Sequence, residues 1–128
     1  MTVYEYAEAA LGAYCAEHAL AYRAEWAAAQ DGLLPERYLL MSVVSDNDSG
    51  FADNRAARRK YRVQIDLCVP EAERSTLPAL FTQAEIALIR ADFRPQGNFR
   101  MATDEKSRKA YVQKDFLIAM EVSGIWGC

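Results

Sequence analysis

The spacing of apolar residues shifts along the chain between that of a helix and that of a strand, and these shifts predict the order of its elements. Apolar residues recur at helical spacing over residues 3–17, which predicts an amphipathic helix. Thr2 and Glu5 would form a capping box at its start. Residues 20–26 alternate as in a strand, although the alanines up to residue 29 would also extend the helix. We favour the strand, because a helix to residue 29 would be unusually long.

Two further strands are predicted on either side of a polar, basic stretch. Residues 37–45 are rich in β-branched and large apolar side chains, which predicts a buried strand, and residues 46–50 predict a turn or loop. Residues 61–69 carry apolar side chains at odd positions and polar ones at even positions, with Cys68 as the exception, which predicts a half-exposed antiparallel strand. Residues 55–62 hold five of the fifteen Lys and Arg residues, and we expect a mobile hairpin loop there.

The second half of the chain predicts one helix followed by a hairpin. The expected elements are a helix capped by Ser75 or Thr76 with its apolar face over residues 77–91, a strand opened by residues 95–97 and running to 101, a charged turn at 104–108, and a long strand over 111–122. This order predicts an α+β fold, a single domain over residues 1–128. Its antiparallel sheet of about four strands would be packed by an N-terminal helix and a central crossing helix.

The composition of the chain argues against several classes of function. The chain is 52% hydrophobic and 26% charged, which is typical of a soluble globular protein. A net charge of −3 argues against general duplex-DNA binding, because that needs a broadly basic face. We expect neither a signal peptide nor a membrane span, since no cationic region precedes a long apolar run. Cys15, Cys68 and Cys128 are odd in number and widely spaced, which favours a reducing cytoplasm over a disulfide framework.

Residue types with catalytic or metal-binding chemistry are present but form no recognised pattern. His18 is the only histidine, and Cys15 is its only nearby companion, so a metal site would lack two ligands. Residues 46–50 faintly resemble a calcium loop, but the glycine comes one place early and position twelve is Ala57. No glycine-rich phosphate-binding motif or activated nucleophile occurs. We therefore expect no enzymatic activity, no metal and no cofactor.

The basic segment at residues 55–62 admits three interpretations. It could be a solvated loop balanced by nearby Asp residues, a protein interface, since Arg is favoured at interfaces, or a phosphate contact. Nucleic-acid binding is the weakest of the three, because Tyr61 is the only aromatic residue close by and it belongs to the apolar side of the strand. The residues of the hypothetical protein interface are Asp53, Asn54, Arg55, Arg58, Arg59, Lys60, Lys106 and Arg108.

Three segments carry a resemblance to a known family. Tyr38-Leu-Leu-Met41, Phe51-Ala-Asp-Asn54 and Tyr61-Arg-Val-Gln-Ile-Asp66 resemble the tail completion (tail terminator) proteins of long-tailed bacteriophages and prophages. In that family a strand is followed by a loop ending in Tyr/Phe-Ala-Asp-Asn or a similar segment. A strand of the type Tyr-Arg-Val-Gln-Val-Asp comes next.

The resemblance extends over about residues 36–120, through the second helix, the acidic turn and the last strand with Phe116 near its centre. The family often carries Tyr-His-Lys before that Phe, whereas this chain has Tyr111-Val-Gln-Lys114 and lacks the histidine. The missing histidine puts only a side-chain detail in doubt, since no catalysis is attributed to it.

The resemblance implies a structural protein that caps the finished tail tube, stops its polymerisation and forms the joint to the head–tail connector protein. It implies a homo-oligomeric ring, usually a hexamer, that contacts the tail tube protein, belongs to the virion tail and is assembled in the bacterial cytoplasm. No membrane or specific nucleic acid is implied. The alternatives are another ring protein of the head–tail connector or, in a different class, a small nucleic-acid-binding domain that uses residues 55–62.

Overall fold

The computed structural model describes residues 2–24, 35–52 and 55–121. Its elements are helix α1 (Val3–Glu17), strands β1 (Ala21–Ala24), β2 (Tyr38–Ala52) and β3 (Arg55–Pro70), a 3₁₀ helix (Glu71–Thr76), helix α2 (Leu77–Arg90), and strands β4 (Arg94–Asp104) and β5 (Lys109–Glu121). The sheet order is β1-β2-β3-β5-β4. The expected α+β fold is confirmed. The expectation of a purely antiparallel, roughly four-stranded sheet is corrected, because β1 adds a fifth strand parallel to β2.

Helix α1 begins and ends as its sequence dictates. The Thr2 hydroxyl accepts a hydrogen bond from the Glu5 amide at 3.1 Å, and the Glu5 carboxylate accepts one from the Thr2 amide at 3.1 Å, so the predicted capping box is confirmed. The helix ends at Glu17, and Ala19 follows in the left-handed region with φ 55°. This turn leads directly into β1, so the predicted strand is confirmed over residues 21–24. The rest of that ambiguous stretch, residues 25–29, lies outside the described residues.

Strands β2 and β3 form a hairpin that is longer than the sequence predicts. Residues 46–50 belong to β2 and residues 55–60 to β3, so the expected turn and the expected mobile loop are both wrong. The ladder supplies the physical reason: residues 46–49 pair in register with residues 58–61, so the two polar segments satisfy each other's backbone hydrogen bonds. A register shift between Val43 and Ser45 marks a bulge.

The core lies between the two helices and one face of the sheet. Odd-numbered residues of β3 such as Val63, Ile65 and Leu67 are fully buried, which confirms the predicted alternation. Helices α1 and α2 run antiparallel on this face, as two hydrogen bonds between them show. Near the end of α1 the Tyr14 hydroxyl donates to the Leu80 carbonyl at 2.6 Å, near the start of α2, and near the start of α1 the Tyr6 hydroxyl donates to the Ala91 carbonyl at the end of α2. The opposite face of the sheet, which packs against neither helix, is called the open face below.

Helix α2 begins after Thr76, as predicted, but without the predicted side-chain cap. The preceding 3₁₀ helix places Thr76 in a helical backbone conformation, and its hydroxyl donates backwards to the Glu73 carbonyl at 2.7 Å. Leu77, Phe81, Ala84 and Leu88 are buried, so the predicted apolar face is confirmed.

The second hairpin agrees with its prediction apart from small changes of boundary. Strand β4 starts one residue before Pro95, and β5 starts two residues before Tyr111. The ladder between β4 and β5 is interrupted between Gln96 and Arg100, where Gly97 has φ 69°. Val122, the predicted last strand residue, lies outside the described residues.

Candidate interface residues and a groove on the open face

The candidate interface residues fall into two groups at opposite ends of the sheet. The first group lies at the start of β3 and consists of Arg55, Arg58, Arg59 and Lys60. The second group, Lys106 and Arg108, lies in the β4–β5 turn, next to Pro70 at the other end of β3. Twelve residues separate Arg58 from Pro70, which at about 3.4 Å per residue is roughly 40 Å. Asp53 and Asn54 lie outside the described residues. The structure therefore places two separate patches where the sequence grouped one.

The basic group lies in register with acidic residues of the neighbouring strands. Arg59 lies opposite Asp48 on β2, and Arg58 lies opposite Glu121 on β5. Further along β3, the Arg62 Nε donates to the Asp115 Oδ2 at 2.8 Å. Lys60 is exposed and has the neutral residues Asn47 and Ala119 opposite it. Arg58 and Arg59 thus have acidic residues at the register positions opposite them, whereas Arg55, opposite Ala52, and Lys60 do not.

The second group is presented by a turn that its own hydrogen bonds hold in shape. Asp104 accepts hydrogen bonds from the Lys106 amide at 3.1 Å and from the Ser107 hydroxyl at 3.0 Å. These bonds hold the pKa of the Asp104 carboxyl below its usual value. The Glu71 amide donates to the Arg108 carbonyl at 2.9 Å, which ties the turn to the 3₁₀ helix. Lys106 and Arg108 are both exposed on this turn.

Next to this turn, the open face carries a groove of about 370 Å³. Its walls come from β2, β3, β5 and the turn, and they combine two tyrosines with charged and amide side chains. The lining residues are Tyr38, Asp66, Cys68, Asp104, Ser107, Lys109, Tyr111 and Gln113. Strand alternation brings them together, because even positions of β3 and odd positions of β5 share the open face.

Asp66 is one of two carboxylates in the groove lining, the other being Asp104. The amide nitrogen of Gln64 donates to its Oδ1 at 3.2 Å, and Gln113 also donates to it. Burial raises the pKa of Asp66 above its usual value, and the nearby Asp115 carboxylate raises it further, against these hydrogen bonds. Within the part of the chain that the structure describes, Asp66 forms no ion pair. It is therefore a half-buried carboxylate whose hydrogen-bond partners are neutral.

The cation of the groove is held by other groups. The Lys109 ammonium donates to the Pro35 carbonyl at 2.8 Å and lies 5.0 Å from the centroid of the Tyr38 ring. Tyr38 is hydrogen-bonded to Cys68, whose thiol is 4% exposed. Burial raises the pKa of the Cys68 thiol, so this cysteine stays protonated and is a poor nucleophile at neutral pH.

Sequence reasoning singled out none of these groove residues as a site. The one available signal was Cys68, an apolar residue at a polar position of an otherwise regular alternation. The register explains it, since Tyr38, Cys68 and Tyr111 form one row across three strands. Cys68 is covered by its neighbours in this row although it lies on the open face.

His18 and Cys15 lie in different surroundings in this fold. The His18 ring packs against the Tyr14 ring at a tilt of 49° with centroids 4.7 Å apart, and Cys15 is buried in the core. Within residues 2–24, 35–52 and 55–121, no group of three or more potential ligand side chains is placed to hold a metal ion. None of the described helices combines the length and hydropathy needed to cross a bilayer.

Comparison with known proteins does not identify a family for this chain. A scan of the sequence against protein-family models gives no match, and a search of curated proteins finds no similar sequence.

Proposed function

We propose that this chain is a structural subunit of the tail completion (tail terminator) type. It would cap the end of a phage or prophage tail tube, stop tube polymerisation and form the joint to the head connector. The β2–β3 hairpin is the observation that carries the proposal. Two of the segments that bear the resemblance pair with each other there, with Leu40 opposite Asp66 and Met41 opposite Ile65. The proposed activity is assembly, with no catalytic step.

The proposed partners are further copies of the chain, the tail tube protein and the head–tail connector protein, within the virion tail. The resemblance implies six copies in a ring. Contacts in a cyclic ring are heterologous, so each subunit needs two unlike patches. The basic start of β3 and the end of the sheet with Glu71 and Asp104, roughly 40 Å away, have the residue types for two such patches.

Tube capping is the direct test. Tail tube protein from the same genome is polymerised with and without the purified chain, and tube lengths are measured in negative-stain images. The proposal predicts shorter tubes with a ring at one end, in proportion to the amount of chain added. Unchanged tube lengths with no density at the ends would contradict it. A ring that binds the connector without shortening the tubes would favour the neighbouring connector role.

The basic start of β3 can be tested separately by charge reversal. Arg58→Glu/Arg59→Glu is expected to weaken the ring, and light scattering would then give a lower oligomer mass. The reversed charge at position 59 would lie opposite Asp48, so circular dichroism must show that the variant is folded. Arg90→Glu reverses an exposed cation at the end of α2, away from both patches, and serves as the control. An unchanged oligomer mass in the first variant would refute the role of this segment.

The nucleic-acid alternative makes a different prediction for the same residues. A phosphate-binding segment would retain DNA at low salt and release it steeply as salt rises. No retention at low salt would eliminate this function without affecting the assembly proposal.

A further inference from the structure

The groove on the open face lies over a small side chain between two tyrosines. Tyr38 on β2 and Tyr111 on β5 lie on either side of Cys68 on β3, two strand spacings or roughly 10 Å apart. The Lys109 ammonium already lies against the Tyr38 ring, 5.0 Å from its centroid. Among the described residues, no other ring and no cation contacts the Tyr111 ring. The groove therefore has one tyrosine ring that is still open to a ligand.

The charges of the lining leave one carboxylate in excess. The lining holds two carboxylates, those of Asp66 and Asp104, and one ammonium, that of Lys109. Lys109 lies opposite Asp104 in the β4–β5 register, and its ammonium donates to the Pro35 carbonyl at 2.8 Å. On its other side Lys109 lies opposite Pro70, four residues or roughly 14 Å along β3 from Asp66. The uncompensated charge is therefore at Asp66.

Two arginines share the register row of Asp66, each of them two strands away. Arg23 on β1 lies beyond Leu40 and donates to the Tyr22 carbonyl at 2.9 Å. Arg100 on β4 lies beyond Gln113 and is exposed. Within the part of the chain that the structure describes, Asp66 forms an ion pair with neither of them. The row thus brings arginines near the carboxylate without placing a cation on it.

We propose that the groove binds the guanidinium group of an arginine in a partner protein, with Asp66 as its counter-ion and the Tyr111 ring as its stacking surface. A carboxylate accepts a guanidinium through two parallel hydrogen bonds, and this planar cation also stacks on an aromatic ring. Neither described helix packs on the open face, so an arginine displayed by a large partner can reach the groove. The proposed function does not use this groove, and the inference goes beyond it.

A peptide titration followed in amide spectra of ¹⁵N-labelled protein tests the site. The probe is the tripeptide Gly-Arg-Gly, blocked at both ends, and its controls carry citrulline or lysine at the centre. Citrulline keeps the shape of arginine without its charge, and lysine keeps the charge without the planar group. At low salt the arginine peptide should shift the amide signals of Asp66, Tyr111 and Gln113 saturably. The citrulline peptide should bind about tenfold more weakly or less, and the lysine peptide about threefold more weakly.

Variants assign the contact to the two groups. Asp66→Asn keeps the size of the side chain and should weaken binding of the arginine peptide by about tenfold or more. Tyr111→Leu should weaken it by about threefold and abolish the preference for arginine over lysine, because the stacking surface is lost. Asp92→Asn, at an exposed position away from the groove, is the matched control and should leave binding unchanged. Spectra that overlay with wild type away from each substitution show that the variants fold.

Four results would overturn the inference. They are the absence of saturable shifts with the arginine peptide, equal binding of the citrulline peptide, binding that survives Asp66→Asn, and a gain of about tenfold or more in Arg100→Gln. The last would mean that the chain's own arginine fills the groove. Any of the four leaves the tube-capping test unaffected. Conversely, selective arginine binding together with failed capping would uphold the groove and remove the tail-tube role.

Discussion

The ion pair between Lys114 and Glu85 is expected to respond asymmetrically to mutation. Lys114 lies on the helix-facing side of β5 with an 11% exposed side chain, and its ammonium donates to the Glu85 carboxylate on α2. Glu85 is 21% exposed, and the Lys114 ammonium also lies 6.0 Å from the centroid of the Phe116 ring. The pair thus joins α2 to the sheet at the edge of the core.

The magnitudes follow from what each change leaves behind. Glu85→Gln leaves an ammonium beneath α2 without its counter-ion, and breaking a fully buried pair in this way costs about 3–5 kcal/mol. The four-carbon stem of Lys114 can tilt its charge toward the helix edge, so we expect about 2 kcal/mol here. Lys114→Met keeps the buried stem and removes the charge, and Glu85 can turn into water, so we expect about 1 kcal/mol or less.

A double-mutant cycle measures this difference. Urea unfolding of the wild type, Glu85→Gln, Lys114→Met and the double variant gives four free energies of unfolding, from which we expect a coupling of about 1 kcal/mol or more. The chain supplies a matched control in the Arg62–Asp115 pair, which joins neighbouring strands on the open face and has a 47% exposed arginine. Solvent screening should limit its coupling to about 0.5 kcal/mol.

The reasoning would be refuted if the two couplings were equal, or if Lys114→Met destabilised the fold more than Glu85→Gln. The first result would mean that burial under α2 does not strengthen the pair. The second would mean that the lysine contributes by packing and that its charge is already well solvated.

Three smaller predictions concern the helix cap, the helix pair and the groove. Thr2→Ala should lower the free energy of unfolding by about 1 kcal/mol in thermal melts, because the capping box is lost. The Thr2 amide, which donates to the Glu5 carboxylate, lowers the pKa of Glu5, so the part of the stabilisation that this carboxylate contributes should be present at neutral pH and be lost as the pH falls through that pKa. Tyr14→Phe should cost about 1 kcal/mol in urea unfolding, since the Leu80 carbonyl loses its donor. Asp66→Asn should stabilise the fold at neutral pH, because the raised pKa means that folding disfavours the ionised carboxyl. That gain should vanish in acid, where Asp66 is protonated in both states.

Sequence patterns predicted the elements that one segment determines by itself. The capping box at Thr2, the apolar face of α2 and the alternation from Tyr61 to Val69 each follow from residues close in the chain. The strands at the hairpin tip could not be predicted in this way, because residues 46–50 and 55–60 are as polar as a loop. Their strand conformation depends on the ladder that pairs Asp48 with Arg59, and a cross-strand pair cannot be read from one segment.

The groove was beyond sequence reasoning for a related reason. Alternation marks the even positions of β3 as facing away from the helices, but it does not say which residues of β2 and β5 lie beside them. The register aligns Leu40, Asp66, Gln113 and Arg100 in one row and places Tyr38, Cys68 and Tyr111 in the next. A half-buried carboxylate between amide and aromatic neighbours results only when both rows are assembled.

The two faces of β3 separate stability from recognition. Val63, Ile65 and Leu67 build the core, and Asp66 between them contributes to the open face alone. If its ionised carboxyl opposes folding, as its raised pKa indicates, then the fold carries a cost at the position where it offers a site for a cation. A cation bound there would offset that cost by favouring the ionised form. Asp66→Asn should therefore make the isolated chain more stable at neutral pH, whereas a cation that binds this carboxylate should stabilise the wild type and not the variant.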